Sequence, residues 1–75
     1  MSVELRDWLS QLGVDPADVP ADARRDLRGG MLVVETYVRD TAGNVVVNHA
    51  GDGALRRWRS VPVPEMVPAV AAEWI

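Results

Sequence analysis

The stretch MLVVETYVRDTAGNVVVN, from Met31 to Asn48, decides the fold class. Alternation places Leu32, Val34, Thr36 and Val38 on one face and Met31, Val33, Glu35, Tyr37 and Arg39 on the other, the period-two pattern of a half-buried strand. Asp40-Thr41-Ala42-Gly43 carries Asp at the first and Gly at the fourth place of a type I turn. Asn44 then leads into Val45-Val46-Val47-Asn48, a β-branched run too short for a helix. The stretch therefore predicts a central strand and a hairpin at Asp40 to Asn44, around which an antiparallel sheet is built.

Upstream, Leu5, Trp8, Leu9 and Leu12 recur at helical spacing behind Ser2 as cap, with Glu4 near the positive end and Gly13 as the left-handed stop. Asp15-Pro16-Ala17-Asp18-Val19-Pro20 reads as a single capped turn between two prolines. Ala21 to Arg28 suits either a helix or a strand. The Gly29-Gly30 that follows would close a tight hairpin, which favours the strand and places Ala23, Arg25 and Leu27 on one face.

Downstream, His49 to Ala54 reads as a loop. Leu55 to Val63 reads as an edge strand ended by prolines that lack an N–H to donate. Pro64 to Pro68 opens a short helix in which Val67, Val70, Ala71 and Trp74 form a stripe. The expected fold is one α+β domain over residues 1–75: an N-terminal amphipathic helix packed on an antiparallel meander of three to four strands, with a short C-terminal helix.

At 75 residues with 48% hydrophobic content, the chain can build one small core. Its stability should be on the order of 4 to 11 kcal/mol. No cysteine is present, which removes disulfides, Cys-based zinc sites and thiol nucleophiles and fits a cytoplasmic setting. The N-terminus lacks the apolar core of a signal peptide, and no segment approaches a membrane span. The net charge of −3 argues against general polyanion binding. All eight basic residues are Arg and the sole Ile is Ile75, a bias expected of high-GC coding.

No catalytic, cofactor or metal constellation stands out, and no small-molecule site is evident. His49 is the only imidazole, with Asn48 and Asp52 too few and too loosely spaced beside it for zinc, iron or calcium. The hydroxyls of Ser2, Ser10, Ser60, Thr36 and Thr41 have no base placed beside them by a known motif. The acid pairs Asp18 with Asp22 and Asp26 with Glu35 read as solvated surface groups before they read as acid–base catalysts. Gly29-Gly30 lacks the lysine and the glycine spacing of phosphate loops.

Two features exceed what the scaffold requires. Arg56-Arg57-Trp58-Arg59 combines cations with an aromatic, suited to guarding an edge strand, to an acidic protein partner or to nucleic acid; Arg24, Arg25 and Arg28 would add to the last. Trp74-Ile75 is an apolar pair at the chain end that must dock, either on the Leu5, Trp8, Leu9 and Leu12 stripe or on a partner.

The order Trp8-Leu9-x-x-Leu12-Gly13, Asp15-Pro16, Val19-Pro20, Val34-Glu35-x-Tyr37-x-Arg39-Asp40-x-x-Gly43 and Val61-Pro62 resembles small uncharacterised proteins of actinobacterial phages and prophages. The resemblance spans most of the chain. It implies a setting, virion assembly or host modulation, and carries no residue role with it. The expected function is a noncatalytic, self-associating protein-interaction module, with nucleic-acid binding through the Arg and Trp cluster as the alternative.

Overall fold

Ser2 starts the first helix, α1 (Val3–Gln11), by accepting the Leu5 N–H on its Oγ at 3.2 Å. Gly13, at φ +84°, ends it: the Gly13 N–H donates to the Ser10 carbonyl and the Val14 N–H to the Leu9 carbonyl, both at 3.0 Å. This pair of hydrogen bonds is the Schellman arrangement, which brings Val14 back onto Leu9, and both side chains are buried. Asp15 then caps a 3₁₀ turn (Pro16–Asp18) by accepting the Ala17 N–H. The computed structural model describes residues 1–51 and 53–75.

Strands β1 (Arg25–Arg28), β2 (Met31–Tyr37) and β3 (Arg56–Pro62) form an antiparallel sheet in the order β1-β2-β3. The ambiguous segment before Gly29 is thus a strand, confined to its last four residues. Gly29 and Gly30 both have positive φ, +54° and +76°, the pair required by a two-residue turn whose twist matches the strands. Register aligns Leu27, Leu32 and Val61 across the sheet, and likewise Arg25, Val34 and Arg59.

The hairpin at Asp40 to Asn44 forms, but the sheet is not built around it. Asp40 Oδ1 accepts from Ala42 and Asn44 N–H, and the Gly43 N–H donates to the Asp40 carbonyl at 3.0 Å, so the turn chemistry is as expected. Val45 to Asn48 nevertheless makes only isolated bridges, Arg39 with Val45 and Val47 with Ala54. A strand has two edges: β3 occupies one edge of β2 along Met31–Tyr37, and β1 occupies the other along Met31–Val34. Val46 instead links the strand ends, donating to the Val38 carbonyl while its own carbonyl accepts the Leu55 N–H. The sheet therefore has three strands, and the described residues from 38 to 55 form an arm between β2 and β3.

The core lies on one side of the sheet. Leu32, Val34 and Val61 meet Leu5, Trp8 and Leu9 of α1 and Ala71 of the second helix, α2 (Ala69–Trp74). Pro68 sits at the N-cap, so the helix begins after it and residues 64–68 are not helical. No described helix is long and apolar enough to cross a membrane.

Candidate interaction surface

Strand alternation divides the Arg56-Arg57-Trp58-Arg59 cluster. Arg57 and Arg59 stand opposite Thr36 and Val34, on the helix side of the sheet, whereas Arg56 and Trp58 stand opposite Tyr37 and Glu35 on the other side. The four side chains do not converge, because neighbours along a strand point to opposite faces.

What converges instead on the face without helices is Trp58 with residues from β1 and β2. The Arg24 guanidinium lies 5.2 Å from the Trp58 ring centre. Its backbone N–H donates to Glu35 Oε1 at 2.7 Å and its side chain pairs with the same carboxylate. Arg56 approaches Glu35 from the other side, donates to Asp22 Oδ1 at 2.8 Å and covers the Tyr37 ring. Arg28 pairs with Asp26 one strand over. Arg24, Asp26, Arg28, Val33 and Trp58 border a shallow depression of about 440 Å³. Trp58 remains 52% exposed in it.

These arginines hold the carboxylates ionised. The Glu35 carboxyl is lowered below its ordinary value first by the Arg24 backbone N–H and then by the Arg24 side chain. Arg56 lowers Asp22, and Arg28 lowers Asp26. Asp18 is tied to Arg39, whose pKa it raises, rather than placed beside Asp22. The acids of both pairs are accordingly arginine partners, and the lowered Asp22, Asp26 and Glu35 are poorly suited to delivering a proton near neutral pH.

Trp74 and Ile75 are half-buried and pack against the core beside α1. The Arg25 guanidinium stacks 4.6 Å from the Trp74 ring centre and its Nε donates to the Trp74 carbonyl at 2.6 Å. The C-terminal pair is therefore engaged within the chain. From sequence Arg25 is a strand-face residue beside Ala23 and Leu27 and a possible cation, with no sign of a partner 49 residues away.

His49 and Asn48 lie in the arm, and Asp52 falls outside the described residues. Among those described, no three His, Cys, Asp or Glu residues are grouped to hold a metal ion. No protein-family model, curated protein or solved structure matches the chain.

Proposed function

We propose that this chain is a noncatalytic protein-interaction module that associates with a second copy of itself through the sheet face bearing Trp58. The observation that carries the reading is a half-exposed tryptophan on a face no helix covers, flanked by Arg24 and Arg28. Trp, Tyr and Arg are the residues that dominate binding energy at protein interfaces. On this face Arg24, Arg28 and Arg56 are matched by Glu35, Asp26 and Asp22. A surface carrying both signs in alternation is complementary to its own copy turned about a two-fold axis.

The face is small, roughly 23 by 14 Å from strand dimensions, well under the ~800 Å² per partner of a stable interface. Association is accordingly weak and concentration-dependent. Light scattering after size exclusion tests it: the apparent mass should climb above the monomer with concentration, and Trp58→Ala should hold it at the monomer. A chain that stays monomeric when concentrated, with or without that substitution, overturns the reading. The resemblance to small phage and prophage proteins supplies the setting, virion assembly or host modulation.

Nucleic-acid binding is the second reading, favoured by Arg57 and Arg59, which have no ion pair among the described residues. It is weakened by the carboxylates that neutralise the arginines around Trp58. Binding to single strands at low salt that disappears on replacing Arg57 and Arg59 by Ala would support it.

A further inference from the structure

The two sheet edges differ. Arg24 to Glu35 is a hydrogen-bonded pair of the β1–β2 ladder, so alternation turns the amides of Arg25 and Leu27 outward. The Leu27 N–H is taken by Asp26 Oδ1 at 2.8 Å, which closes part of this short edge from within. On the other side, the bonds joining Val38 with Leu55 and Gly30 with Val63 fix the phase of the β2–β3 ladder. Arg57, Arg59 and Val61 therefore bond inward, and the amides of Arg56, Trp58 and Ser60 face outward. Pro62, which has no N–H, falls in the outward phase, where none is needed.

We propose that the free edge of β3 takes up an extended strand from an acidic partner protein, in which two carboxylate side chains, two residues apart, flank one apolar side chain. The spacing follows from the pleat. A strand added beside β3 places alternate side chains next to Arg57 and Arg59, on the helix side, and the residue between them next to Trp58, on the open side. Of the arginines on β3, Arg57 and Arg59 have no ion pair among the described residues, while Arg56 is already engaged by Asp22 and Glu35.

The same two cations select against the other occupant of an edge, a second β3. Antiparallel self-pairing centred on this segment brings arginines from the two copies beside one another, which costs stability. Repelling its own copy while attracting an acidic strand makes the edge selective by both signs of interaction. The proposal rests on reading the chain as a binding module but uses the edge and not the face. A chain that proves monomeric in light scattering therefore leaves it standing.

The test is amide NMR of the full chain titrated with a capped heptapeptide alternating Glu and Val, against the Lys-for-Glu version and a version N-methylated at alternate positions. The amides of Arg56, Trp58 and Ser60 should shift and become protected from exchange with the acidic peptide only. The double substitution Arg57→Glu with Arg59→Glu should weaken it by about tenfold or more, since each reversed pair changes binding by about 1 kcal/mol. The lysine peptide should then bind that variant, which shows the variant is folded. Absence of binding, equal binding of the acidic and basic peptides, undiminished binding of the N-methylated one, or shifts confined to other residues would each overturn the proposal. So would a short oligothymidylate shifting these amides where the peptide does not.

Discussion

Glu35 lies on the open face of β2, yet it is buried because Arg24 and Arg56 close over its carboxylate from both neighbouring strands. Its lowered pKa, with those of Asp22 and Asp26, makes stability depend on acid. The unfolded chain binds protons at these groups at higher pH than the folded one, so their contribution is complete above the ordinary values of 4.5 for Glu and 3.8 for Asp. It is lost as pH falls through the lower folded-state values. Thermal melts from neutral pH downward should show the midpoint falling once pH passes below about 4.5, and Glu35→Gln should flatten part of that fall. Arg25→Ala removes both the ring contact and the hydrogen bond to the Trp74 carbonyl, and should cost about 1–2 kcal/mol in urea unfolding. Glu35 and Arg25 were both named from sequence, but neither role was legible there. Each depends on partners brought alongside by register, and a charged side chain carries no mark of which opposite charge or ring it will meet.

Local chemistry accounts for the ends of the elements. Ser2, Gly13, Asp15 and Gly29-Gly30 act within a few residues of themselves, and each is found in the capping or turn role its sequence context implies. Gly30 has open space where a Cβ would stand, so its requirement is conformational alone. Gly30→Ala should therefore cost about 1 kcal/mol by denaturant titration, and Gly30→Asn less, because Asn tolerates the left-handed region. Equal costs would show that the turn relaxes out of that region. The valine run after Asn44 is the instructive exception. Its composition favours a strand as strongly as that of β1 or β3, but propensity supplies no partner, and β3 already fills one edge of β2 along its whole length.

At the scale of the whole molecule, one small core on one side of a three-stranded sheet carries the fold, and the other side is left to water or to a partner. Leu9 is wholly buried at its centre. Leu9→Ala should cost about 3 kcal/mol, a large part of the roughly 4 to 11 kcal/mol available to a chain of this length, and should move the urea midpoint accordingly. Trp58→Ala, on the open face, should leave that midpoint nearly unchanged, which would separate the interaction surface from the core. The amino-acid sequence by itself determined the α+β class, the α1 stripe and its caps, the tight glycine turn and the inward face of β2, because each arises from interactions spanning a few residues and a fixed period. Only the tertiary structure decided that β3 and not the valine run lies beside β2, that Trp58 meets Arg24 and not its own neighbours, and that Trp74 is held under Arg25. These outcomes depend on which distant strands share an edge and in what register, and a one-residue slip would send every side chain of a strand to the opposite face.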